Sequence, residues 1–164
     1  MTQHDIEARL KNVEDIQAIM MLMWDYTFCL DYGDLEGVLD KFMEDAKFQV
    51  RMRAGEQKGL LVGRYDGKKN IRALYTAVLP KRDAYPANAH IITNPVVSVQ
   101  GDKAKGSFYL LQGGPGGGSQ GRYDNEFIRV GGKWKISSFR FTWNYLPEGG
   151  PAIEGLPVPQ PLID

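Results

Sequence analysis

Two hydrophobic periods divide this chain, and the switch between them limits the folds open to it. Early in the chain, apolar or half-apolar side chains recur at Ile6, Leu10, Val13, Ile16, Ile19, Met20, Met23, Trp24, Thr27 and Leu30. Steps of three and four mark one face of an amphipathic helix, and Asp5 or Thr2 can cap its start. From His90 onward the period is two. His90–Val99, Lys103–Gln112, Arg122–Val130 and Lys133–Tyr145 each read as a strand. Pro95 is expected at an edge or bulge. Helices first and strands after argue for α+β architecture, not an alternating α/β fold.

The stretch between fills in the order. Asp31-Tyr-Gly33-Asp34 breaks the first helix: Gly33 suits a left-handed C-terminal position, and Asp34 can cap a short helix over Leu35–Phe42. Lys47–Arg53 alternates as a strand, Ala54–Glu56 turns it, and Gly59–Val62 reads as its hairpin partner. Asp66 can cap a third helix with a buried stripe of Ile71, Leu74, Tyr75 and Val78, ended by Pro80. Gln100–Asp102 and Gly131-Gly132 read as tight turns. Gly113–Gly121 holds six glycines in nine residues and reads as a mobile hairpin loop. Residues 1–146 thus form one domain. The tail, 147–164 after Leu146, is proline-rich and reads as an extended arm. Its Ile153, Leu156, Val158 and Leu162 have no period and need a surface, either a neighbouring subunit or the domain's own pocket mouth. A long antiparallel sheet curving over the N-terminal helices would make a cone with an apolar mouth, a usual site for a small ligand.

Composition removes several function classes. Lys plus Arg and Asp plus Glu both total 20, so no net field draws the chain to nucleic acid or an anionic membrane. One cysteine cannot form an internal disulfide. Two histidines and one cysteine are too few for a typical zinc site. No apolar run is long enough for a signal core or a membrane span, so a cytoplasmic protein is expected. Gly113–Gly121 lacks the Lys-Ser/Thr and following helix of a phosphate loop.

The candidates for chemistry are few. His4 precedes the first helix and reads as solvated. His90 opens a long strand and shares a face with Ile92 and Asn94; it is either a satisfied core histidine or a base. Asp31 ends an apolar helix, where a carboxylate faces the negative end of the macrodipole at a cost of ~0.3–1 kcal/mol. It is either a turn-former beside Gly33 or a residue held there to orient a base. Tyr26, five residues earlier, is either core or reaches the same cavity. Cys29 reads as core. Phe139, Phe141, Trp143 and Tyr145 alternate on one strand face, with Phe108, Tyr123 and Phe127 on neighbouring strands. They are core, or some line a pocket for a flat ring. Arg51, Arg53 and Arg64 read as solvated, and Arg140 and Asn144 as pointing away from the aromatic run.

Several stretches together resemble a known family. DIEARLKNVEDIQAIMMLMWDYTFCLDYGDLEGVLDKFMEDA (5–46), GRYDGKKNIRALY (63–75), HIITNPVVSVQGDKAKG (90–106) and GRYDNEFIRVGGKWKISSFRF (121–141) are similar, in order and spacing, to SnoaL-like proteins of the nuclear transport factor 2-like superfamily. The branch most resembled holds scytalone dehydratase, hexachlorocyclohexane dehydrochlorinase and bile-acid dehydratase. The resemblance implies a cone-shaped α+β barrel with no metal and no organic cofactor. It also implies an Asp after the first helix paired with a His opening the long strand, at Asp31 and His90, with a Tyr at position 26. Two departures stand out. Scytalone dehydratase uses two histidines, where this chain has one inside the fold. Gln112 occupies the position where the bile-acid branch carries an acid. Trimers are common in this branch and dimers occur, which favours a homo-oligomer.

The chemistry follows from the residue types. An unperturbed imidazole titrates near pH ~6.5 and is a natural base at neutral pH. A carboxylate on its far nitrogen fixes the tautomer and stabilises the imidazolium. In an apolar cone such a base can take a proton from an activated carbon. Loss of a β leaving group, water or halide, then makes a lyase; loss of formaldehyde, a carbon–carbon cleavage begun at a hydroxyl proton, is also open to it; return of the proton elsewhere makes an isomerase. Tyr26 could donate to a leaving oxygen or a carbonyl. The expected function is a cofactor-independent lyase for a small hydrophobic aromatic or alicyclic substrate, with Gln112, Trp143, Phe127, Tyr123, Phe108 and Asn94 lining its site. An isomerase or polyketide cyclase, and a non-catalytic binding or assembly module, are the alternatives.

Overall fold

The computed structural model describes residues 1–54, 57–79, 89–113 and 118–145. Helix α1 runs Gln3–Asp31 and starts with a reciprocal cap. Thr2 Oγ1 accepts the Asp5 N–H at 3.2 Å, and the Asp5 carboxylate accepts the Thr2 N–H at 2.7 Å. Both expected caps therefore act together. His4 stands exposed in the first turn, inside the helix and not before it. Asp34 then caps helix α2 (Leu35–Asp40) by accepting the Gly37 N–H.

Phe42 was expected to end α2; it instead opens strand β1 (Phe42–Ala54). The Ile136 N–H donates to the Lys41 carbonyl at 2.8 Å and captures the chain into the sheet there. Strand β2 (Gln57–Arg64) returns beside β1. Helix α3 (Lys68–Val78) follows. Asp66 does not cap it: its carboxylate accepts the Phe48 N–H at 3.3 Å and Arg64 Nε at 2.6 Å, and Gly67 takes the N-cap position at φ 83°. Val78, in the last turn, is 47% exposed and drops out of the expected stripe.

Strands β3 (Ala89–Gln100), β4 (Lys103–Gly113), β5 (Ser119–Val130) and β6 (Lys133–Tyr145) complete a curved, unclosed sheet of order β2-β1-β6-β5-β4-β3. All neighbours run antiparallel except β1 and β6, which are parallel. The α+β expectation holds, with that one parallel pair added. β5 starts at Ser119, three residues before the expected Arg122, because the alternation continues back through Gly121. The link between β4 and β5 is correspondingly shorter than the expected loop.

Bulges set which residues face inward. In β3 the register shifts between Thr93 and Val96, at Asn94 (φ 51°) and Pro95. His90 and Ile92 are half-buried before the shift, Val97 and Val99 after it. The inner face changes from even to odd numbers at the bulge. In β6 it changes between Ile136 and Phe139. The resulting core packs Ile19, Met23, Tyr26 and Leu30 of α1 against Phe42, Phe48, Phe108, Tyr123 and Phe139, with Cys29 buried beside them. Tyr26 alone touches four rings.

The first turns of α1 depart from expectation. Ile6, Leu10 and Val13 are 44–59% exposed, and burial begins only at Asp15. Asp15 is held by Arg129 Nη2 (2.7 Å), Lys11 Nζ (3.0 Å) and Trp134 Nε1 (3.3 Å), and the Arg129 guanidinium lies 4.5 Å over the Trp134 ring. Arg129 also donates to Asp102 at 3.0 Å. This cluster ties α1 to the β3–β4 turn, β5 and β6 at one end of the sheet. Residues 146–164, on which the arm and oligomer expectations rest, lie outside the described residues, as do 55–56, Pro80 and the centre of the Gly-rich link. Among the described residues, no helix is long and apolar enough to cross a membrane.

Candidate active site

The end of α1 fixes the first group. Gly33 is left-handed at φ 66°; its N–H donates to the Leu30 carbonyl at 3.2 Å, and the Asp34 N–H donates to the Cys29 carbonyl at 2.8 Å. This is a Schellman closure, and it sets the last helical residue, Asp31, at the mouth of the sheet. Its carboxylate accepts the His90 backbone N–H at Oδ2 (3.1 Å) and contacts His90 Nδ1 at Oδ1 (2.5 Å). Both side chains are largely buried, at 13% and 18% exposure. These two bonds offset the unfavourable helix-end position of the charge. β3 is an edge strand, so its free side offers the His90 N–H to α1. An ionised carboxylate only accepts, so Nδ1 carries the ring hydrogen and Nε2 is left as the basic nitrogen.

Gln112 faces His90 across β4, and Ser119 faces Gln112 across β5. Ser119 Oγ donates to Gln112 Oε1 at 2.9 Å. A polar row, His90–Gln112–Ser119, thus crosses three strands at the mouth. One row deeper lie Ile92, Leu110, Gly121 and Trp143. Ser119 escaped the sequence reading because its glycine-rich surroundings hid two further residues of alternation.

Tyr26 sits behind this row. It is 2% exposed, and its hydroxyl is 2.6 Å from that of Tyr75, a residue read from sequence only as core. Tyr123 is 3% exposed and its ring meets that of Tyr26 edge-on at 6.1 Å; the Asp31 charge acts on it. Burial, first of all, pushes all three phenols above the usual tyrosine range, so each stays protonated.

The remaining expected lining residues scatter. Phe108, opposite Tyr123, lies two rows below Gln112 and is 2% exposed, in the core. Phe127 is eight residues along β5 from Ser119, about 26 Å of strand, and packs at the opposite end near Ile136. Asn94 is exposed at the bulge, where Thr93 Oγ1 donates to it. The β3 bulge removes Asn94 from the face of His90, and Phe127 is too deep. Asn125 was not foreseen: it is 3% exposed, its Nδ2 touches Met23 Sδ at 3.4 Å, and among the described residues its Oδ1 has no partner. Arg140 and Asn144 are exposed on the outer face, as expected. Two cavities of about 500 and 490 Å³ lie elsewhere, one against Lys103–Lys105 and Glu126–Ile128, the other on the outside of α1 by Trp24 and Phe28. Among the described residues, no three His, Cys, Asp or Glu side chains converge as a metal site requires.

The family model of the SnoaL-like domain matches residues 11–140. A putative aromatic ring hydroxylase from Novosphingobium aromaticivorans is 29% identical at a TM-score of 0.62, covering 81% of this chain and 91% of its own. A hexachlorocyclohexane dehydrochlorinase, LinA-type3, from Novosphingobium barchaimii is 24% identical at 0.62, over 81% and 88%. A putative scytalone dehydratase from Novosphingobium aromaticivorans is 18% identical at 0.62, over 81% and 86%. No curated protein sequence matches the chain.

Proposed function

Since the chain belongs to the SnoaL-like domain family, we propose that it is a cofactor-independent lyase acting on a small hydrophobic aromatic or alicyclic compound. The observation that carries this reading is the doubly bonded Asp31–His90 pair at the mouth of the sheet. His90 Nε2 takes a proton from an activated carbon, and Asp31 holds the tautomer and stabilises the imidazolium. The electron pair of the broken C–H bond forms the new double bond as the leaving group departs. A leaving hydroxyl takes the proton back from the imidazolium and departs as water.

Gln112 and Trp143 are the lining residues this reading keeps, with Tyr123 below them. Tyr26 serves as a positioning residue, since its hydroxyl is engaged by Tyr75 and lies behind Tyr123. The dehydrochlorinase and scytalone dehydratase names among the structural relatives fit an elimination. An isomerase would use the same proton abstraction and differ only in where the proton returns.

The test is a screen of elimination-prone aromatic and alicyclic compounds against the wild type and His90→Ala. The expected outcome is turnover that falls at least about 100-fold in the variant. Equal turnover by both proteins would overturn the base assignment.

A further inference from the structure

One polar atom on the inner face near His90 is left unanswered by the fold. Trp143 Nε1 is shut off from solvent, and among the described residues nothing accepts its hydrogen. An indole nitrogen is a donor only, so no reassignment of atoms supplies a partner. Such orphaned donors are uncommon and destabilising in folded proteins. The contrast within this chain is direct: Trp134 Nε1, at the other end of the same strand, is bonded to Asp15 at 3.3 Å.

The surroundings place this donor at the site. Trp143 faces Gly121 on β5, and the Phe141 ring lies over that glycine. Its ring meets Phe141 at 4.9 Å, Phe141 meets Tyr123 at 5.1 Å, and the Asp31 charge acts on Tyr123. Asp31 in turn holds His90. Trp143 and His90 therefore lie on two walls of one end of the sheet. The Asp31 carboxylate at that end opposes an anionic ligand.

We propose that Trp143 Nε1 donates to an uncharged oxygen acceptor, a carbonyl or ether, on the ring of the compound bound before His90. This rests on the reading of that end as a ligand site, and narrows the substrate class to oxygenated rings. A compound built only of carbon–hydrogen and carbon–halogen bonds leaves the indole unpaired. A site with a buried donor discriminates against such an analogue.

The experiment uses two probes of one shape, α-tetralone and tetralin, with the full-length chain. The Trp143 indole resonance in a proton–nitrogen spectrum is identified by its loss in Trp143→Phe, which keeps a flat aromatic ring. The expected result is that tetralone shifts this resonance and binds about five- to tenfold more tightly than tetralin, one hydrogen bond's worth. That preference disappears in Trp143→Phe and persists in His90→Ala, so a failure of the lyase reading leaves it standing. Equal binding of the two probes, a preference that survives in Trp143→Phe, or no binding of either up to its solubility limit overturns the proposal. Should Trp143→Phe fail to fold, the wild-type indole resonances decide, and no shift with tetralone overturns it.

Discussion

Asp31 grips His90 at two points, the backbone N–H through Oδ2 and the ring through Oδ1. A ring held only by its side chain could rotate away. Here the same carboxylate fixes both the strand and the imidazole, so helix α1 and edge strand β3 are registered by the two groups proposed to do the chemistry.

Replacing that carboxylate by an amide should invert the tautomer. In Asp31→Asn the shape is retained, but an Nδ2–H turned toward the ring forces Nδ1 to accept, which puts the hydrogen on Nε2. Long-range proton–nitrogen spectra should show the hydrogen on Nδ1 in the wild type and on Nε2 in the variant. Any elimination activity found by the screen should fall by about 10²–10⁴, with a stability change within about 1 kcal/mol. An unchanged tautomer would contradict the assignment.

Tyr26→Phe should act chiefly on stability. It deletes one hydroxyl from a buried cluster and leaves the Tyr75 hydroxyl short of a partner. The expected cost is about 1–2 kcal/mol in denaturant unfolding. A turnover loss larger than about tenfold at unchanged stability would instead make Tyr26 a direct participant.

Asp15 should give the fold an acid-sensitive component. The Arg129 guanidinium holds its carboxyl at about 2, below its ordinary 3.8. A depressed folded value means that the unfolded chain binds more protons in that interval, so this stability is complete above pH ~4 and fades as pH falls toward ~2. The bound is about 2 kcal/mol. In Asp15→Asn, unfolding free energy measured from pH 5 to 2 should lose this part of its slope.

Gly121→Ala should disturb the site through packing alone. A Cβ there would run into the Phe141 ring and approach the Thr142 carbonyl to 2.9 Å. The Phe141 ring in turn packs on Tyr123 and Trp143. Overpacking of this kind costs about 1–3 kcal/mol, readable as a lowered Tm together with a shifted Trp143 indole resonance.

Much of this architecture is legible in the chain because period is local. The helix of α1, the four long strands and the Gly33 closure need only neighbouring residues to be read. What escapes is set by distant partners. Phe42 joins β1 because Ile136, far along the chain, captures Lys41. Asp15 is buried in an otherwise apolar pattern because Arg129 and Trp134 reach it. Ile6 and Leu10 repeat helically yet are exposed, because among the described residues no strand packs against the first turns of α1. The Asp31–His90 pair was readable only through likeness to a family; their separate positions left each with an ordinary structural alternative. Asn94 and Phe127 were assigned by alternation alone, which carries no information on bulges or depth.

The bulge at Asn94-Pro95 also constrains how this sequence can change. His90 faces inward on even numbering and Val97 on odd, so the two halves of β3 are out of phase by one residue. Deleting a single residue at the bulge would shorten the step from Ile92 to Val97 from five residues to four, so a regular strand would keep both His90 and the valines on the inner face and lose only the local bend. A descendant can therefore drop the extra residue and keep both its packing and its base, whereas one that keeps the bulge must still seat a left-handed residue at Asn94.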